Sequence, residues 1–122
     1  MTNLAKLFAL ALLVLSQTSI ANAQQSGTEP TDLVCDIGPT TKAFGGSQWL
    51  VYSCSDRRTV VVMSVPGNAA APFYFVLHPS ETGYRLGGEG TGNQELTAAA
   101  FNELQALSAT DIETLIQETR RR

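Results

Sequence analysis

The chain has 122 residues, with 8 basic and 11 acidic side chains and two cysteines. Its first 23 residues read as a removable export signal, leaving 99, enough for one hydrophobic core and too few for a second domain or a barrel of eight βα units. Loss of Lys6 with the signal leaves 7 basic against 11 acidic side chains, a net charge of −4 with His78 neutral. Nucleic acid is excluded as a partner because a polyanion calls for a concentrated basic surface, and bases cluster only at Arg57-Arg58 and Arg120 to Arg122.

The signal has three parts: Lys6, the apolar run Leu7 to Leu15, and Ala21-Asn22-Ala23 as a small-x-small cleavage site. The run is nine residues long, well short of the ~20 a membrane-spanning helix needs, so a mature protein that does not span the membrane is expected, periplasmic or secreted. Residues 24–32 are polar and aperiodic and read as a disordered leader, which places the folded domain at 33–122. Cys35 and Cys54, with 18 residues between them, predict a structural disulfide; such a loop stabilises the fold by about 3 kcal/mol on the chain-entropy reading.

Three runs rich in β-branched and aromatic residues, Gln48 to Cys54, Thr59 to Val65 and Phe73 to His78, predict strands, with Tyr84 to Leu86 as a short fourth. Their short connections favour an antiparallel meander, since a parallel crossover takes a dozen or more residues. Gly87 to Asn93 then reads as a glycine-rich loop. Beyond it the period lengthens: Leu96, Ala100, Leu104 and Leu107 share one helical face, as do Ile112, Leu115, Ile116 and Thr119. Ser108 and Asp111 have capping-box spacing, and Arg120 to Arg122 complement the dipole at the far end of the second helix. The class is therefore α+β, a small antiparallel sheet of three to four strands followed by two helices packed on one face.

The residues offer little for catalysis. His78 is the one histidine, no GxSxG elbow accompanies the serines, and the cysteines lack the CxxC spacing of a metal or redox pair. No catalytic residue, metal or cofactor is expected, and the protein reads as a non-enzymatic binding module. Gly88, Glu89, Gly90 and Gly92 form one candidate binding loop, whose backbone N–H groups could approach a small molecule or glycan. The segment lacks the Gly-Lys-Ser/Thr end of a phosphate loop. Alternation puts Trp49 and Val51 on one sheet face and Leu50 and Tyr52 on the other, and leaves open which face is covered.

Two further segments carry a family resemblance. Tyr52-Ser53-Cys54-Ser55-Asp56 followed by Thr59 to Val62, and Ser80-Glu81-Thr82-Gly83-Tyr84-Arg85-Leu86, resemble the Y-x-C strand and the S-x-S-G-x-R-Y loop of the periplasmic and membrane-bound inhibitors of c-type lysozyme. Thr82 stands where that family has serine and Leu86 where it has tyrosine. The resemblance implies a small β-barrel that inserts its loop into the lysozyme cleft, with Ser80 and Thr82 as hydroxyl positions, Gly83 as the turn and Arg85 as the supporting cation. A basic lysozyme would suit the net charge of −4. A small-molecule or glycan binder and a structural envelope protein are the other readings.

Overall fold

The computed structural model describes residues Asp32 to Arg121; the expected signal, all but the last residue of the expected leader, and Arg122 lie outside the described residues. Five strands, β1 (Ile37–Phe44), β2 (Ser47–Ser53), β3 (Val60–Ser64), β4 (Phe73–Ser80) and β5 (Gly83–Gly90), form an antiparallel sheet in the order of the chain. Two helices follow, α1 (Gln94–Gln105) and α2 (Ala109–Thr119). The α+β class and the two C-terminal helices match the sequence expectation, and the strand count is five where three to four were expected.

The additional strand is β1, whose sequence IGPTTKAF has little apolar alternation and carries Gly38-Pro39. Proline is tolerated because β1 is an edge strand and because the pairing slips between Ile37 and Thr40, so no ladder hydrogen bond is demanded of Pro39. The short strand expected at Tyr84 to Leu86 is β5, which extends well past that segment and absorbs Gly87 to Gly90 from the expected loop.

One sheet face is built from alternate positions: Trp49 and Val51 of β2, Val60 and Val62 of β3, and Phe75 and Leu77 of β4, all buried. Ala100 and Leu104 of α1 and Ile112, Leu115 and Ile116 of α2 close over them. Ala100 apart, these ten side chains, each contributing up to about 2 kcal/mol when fully buried, provide the main drive for folding. The opposite face presents Leu50, Tyr52, Val61, Met63, Tyr74 and Val76, with Met63 and Tyr74 roughly 40% exposed. The covered face is thus the one bearing Trp49.

Local contacts fix the connections. Cys35 and Cys54 form the expected disulfide. In the β2–β3 turn, Asp56 Oδ1 accepts from the backbone N–H groups of Arg58 and Thr59, and Oδ2 accepts from the Thr59 hydroxyl. Burial pushes the Asp56 carboxyl up, yet these hydrogen bonds and the Arg58 charge outweigh it and leave its pKa below the ordinary 3.8. Ser108 caps α2 in a full capping box with Asp111, as its spacing predicts. At the other end Arg120 is the C-cap residue and Arg121 follows it, just beyond the last turn. The buried hydroxyls of Ser53 and Thr119 lie 2.7 Å apart and tie that last turn to β2.

The sheet is open, with β1 and β5 as its two edges, where the lysozyme-inhibitor resemblance implies a barrel. No helix among the described residues is long and apolar enough to cross a membrane.

Candidate functional site

The glycines of β5 acquire their meaning from the strand beside them. Gly88 lies opposite Phe75 and Gly90 opposite Phe73, all with the helix-side parity of the sheet. A Cβ at Gly88 would come within 2.8 Å of the Phe75 ring and 2.9 Å of the Phe73 ring. The two rings therefore spread over the backbone of β5 into space that a side chain would otherwise fill. Gly92 serves packing: a Cβ there would collide with the Ala70 carbonyl. The same junction is stitched by Asn93 N–H donating to the Ala69 carbonyl, while Asn93 Oδ1 caps α1 by accepting from Leu96 N–H.

A ladder of aromatic rings runs outward from the core. Trp49 and Phe75 have centroids 5.2 Å apart, Phe73 and Phe75 4.9 Å, and Phe75 and Phe101 of α1 6.4 Å, all tilted pairs in the favourable range for aromatic contact. Trp49 is fully buried and Phe101 is 37% exposed, so the ladder carries the core to the surface. Between β5 and α1 this leaves a groove of about 640 Å³, with Phe73, Phe75 and Phe101 as apolar lining and Gln94 and Asn102 as amide groups at its rim. The size is ordinary for a small-ligand site, and so is the mixture of an apolar floor with a few polar groups. No lining residue is titratable, so the groove offers stacking and hydrogen bonding rather than proton transfer.

Of the residues singled out from sequence, Gly88, Gly90 and Gly92 come together along this groove. They do so as strand residues and a helix lead-in, which corrects the expected glycine-rich loop. Glu89 belongs to the opposite face, where it accepts a hydrogen bond of 3.2 Å from the Tyr74 hydroxyl. That bond and the carboxylate charge hold the Tyr74 phenol above its usual pKa of 10.0.

Ser80, Thr82, Gly83 and Arg85 gather at the β4–β5 hairpin, away from the groove end of β5. Ser80 pairs with Gly83, so the segment is a tight hairpin with only Glu81 and Thr82 at its tip, and Arg85 lies within the strand opposite His78. This corrects the loop that the resemblance implies over Ser80 to Leu86, and it places His78 inside β4 rather than at its end. Five residue steps along β5, about 17 Å at the usual rise, lead from Gly83 to Gly88, so the hairpin tip and the groove are distinct places. Thr82 and Gly83 border a smaller recess of about 360 Å³ lined by Leu104, Leu107 and Ile112.

Phe101, Gln94 and Asn102 went unmarked in the sequence. The available signal was a phenylalanine on α1 standing outside the Leu96, Ala100, Leu104 stripe. Among the described residues no cluster of three metal-ligating side chains occurs. Comparison of the chain with protein-family models, curated proteins and solved structures returns no match.

Proposed function

We propose that the protein is a small exported, non-enzymatic binding module, and that it holds a small molecule or glycan in the groove between β5 and α1. The observation that carries this reading is the exposed Phe101 ring, 6.4 Å from Phe75, which lines one groove with the Phe73 and Phe75 rings that lie over Gly88. An apolar sugar or aromatic face would stack there, while Gln94 and Asn102 supply amide donors and acceptors for hydroxyl groups at the rim. The closed Cys35–Cys54 disulfide and the signal-like first 23 residues support an exported location.

The test uses Trp49, the one tryptophan, which contacts the groove-lining Phe75. Titration with amino-sugar oligosaccharides and with indole as an aromatic probe should change its emission for at least one probe. Phe101→Ala should then weaken that probe's binding about tenfold, the upper range of an aromatic pair, with the circular dichroism unchanged. Unaltered affinity in the variant, or silence toward both probe classes, refutes the assignment.

A protein contact through the hairpin tip is the second reading, favoured by the exposure of Glu81 and Thr82 at the end of a fully paired hairpin. Inhibition of a c-type lysozyme in a cell-wall lysis assay, lost in Ser80→Ala, Arg85→Ala, would select it over the groove.

A further inference from the structure

We propose that two copies of the chain associate by antiparallel pairing of β5 with β5, centred on Gly87, to give a continuous ten-stranded sheet with two-fold symmetry. The proposal rests on the edge strand and is independent of what the groove holds.

The two sheet edges differ in a telling way. An unpaired edge is a template for another strand, and proteins ordinarily blunt it with proline, lysine or a bulge. β1 has all three: Pro39, Lys42 and the irregular pairing between Ile37 and Thr40. β5 has neither proline nor lysine, and its pairing with β4 runs without a shift through eight residues. Its residues are exposed apart from the half-buried Tyr84 and Leu86.

Hydrogen-bond parity then fixes which groups the edge offers. Thr91 N–H donates to the Pro72 carbonyl directly across from it, while Phe73 N–H points the other way, to Ser64 Oγ. Antiparallel ladders alternate, so Glu89, Gly87 and Arg85 bond inward to β4 and Tyr84, Leu86, Gly88 and Gly90 direct their N–H and C=O groups outward.

A second β5 centred on Gly87 satisfies that parity and is complementary to the first in both size and charge. Leu86 falls opposite Gly88 of the partner subunit, and Tyr84 opposite Gly90 of the partner subunit, so each large side chain meets a glycine. Arg85 falls opposite Glu89 of the partner subunit, twice by symmetry, on the face away from the helices. Within its own subunit Arg85 faces His78 and makes no ion pair among the described residues. Pairing about a point between two residues would set outward groups against inward ones, and moving the centre by one residue or more would separate Arg85 from Glu89. The arrangement also places Leu86 of the partner subunit beside Gly88, so the second copy extends the wall of the groove.

Sedimentation velocity on protein purified from cells expressing the whole chain tests this. A concentration-dependent dimer is expected, with Arg85→Glu and Glu89→Arg each raising the dissociation constant about tenfold, because each creates two like-charge cross-strand pairs. The double reversal should return it to near the original value. Gly87→Cys supplies an independent readout. A Cβ there meets nothing within 4 Å, and self-pairing at a non-hydrogen-bonded position brings the two Cα atoms to about 4.5 Å, within disulfide reach. It should oxidise to a covalent dimer, whereas Ala43→Cys on β1 should not. A monomer at about 1 mM, the weak limit of specific association, overturns the proposal. So does a dimer indifferent to both single reversals, or equal crosslinking of the two cysteine variants.

Discussion

Gly45 and Gly46, at the β1–β2 turn, offer a controlled pair of substitutions that measures how tightly α1 is seated on the sheet. Both have positive φ, 62° and 83°, so alanine at either pays roughly the 1–2 kcal/mol of a left-handed non-glycine residue. They differ in surroundings. A Cβ at Gly46 meets nothing within 4 Å, whereas at Gly45 it would lie 2.8 Å from Ala99 Cβ and collide with the backbone of Ala99 and Ala100. Helix backbone cannot rotate aside as a side chain can, and overpacking of this kind adds about 1–3 kcal/mol. Gly45→Ala should therefore cost about 2–5 kcal/mol, a large part of the ~5–10 kcal/mol available to a domain of this size. Gly45 N–H also donates to Glu103 Oε1 at 2.7 Å, so displacing α1 lengthens that bond as well. Urea unfolding followed by Trp49 emission separates the cases. With a slope near 1 kcal/mol per molar, the midpoint should fall by about 1–2 M for Gly46→Ala and by clearly more for Gly45→Ala. Equal shifts would refute the steric argument and leave backbone strain as the whole effect.

Two further outcomes follow from buried and turn-forming polar groups. Thr119→Val should destabilise the protein by about 1–3 kcal/mol, because it strands the buried Ser53 hydroxyl, while the double variant with Ser53→Ala should recover part of that loss in the same urea assay. Asp56 has a depressed folded-state pKa, so its contribution is present above the ordinary 3.8 and is lost as pH falls through the lower folded value; Asp56→Asn should flatten the fall in melting temperature across that acid window.

What could be read from the sequence depended on whether the cause was local. β2, β3 and β4 stood out because Trp49, Val51, Val62 and Phe75 are β-formers in runs bounded by turn residues, and the α2 cap because Ser108 and Asp111 interact within one turn. β1 escaped notice because its Gly38-Pro39 is acceptable only at an edge, and edge status depends on which strands pair. The glycines of β5 read as a loop for a related reason. Their tolerance within a strand comes from Phe73 and Phe75 across the ladder, more than a dozen residues earlier in the chain. The groove needed both these and Phe101, which the helical period set apart from the core stripe without saying what it would face.

The meander order bears on how the chain acquires its structure. Every strand pairs with its neighbour in sequence, so the sheet can be assembled from successive hairpins, each closing a short loop at little entropic cost. The helices behave differently. Glu103 reaches back to Gly45 and Thr119 to Ser53, contacts spanning 58 and 66 residues. A chain emerging from its N-terminus can thus complete the whole sheet while the face bearing Trp49, Val62 and Phe75 is still wet. That apolar face is covered by the final segment from Gln94 onward, so the last quarter of the chain is the lid on a surface whose strands all lie before it in sequence.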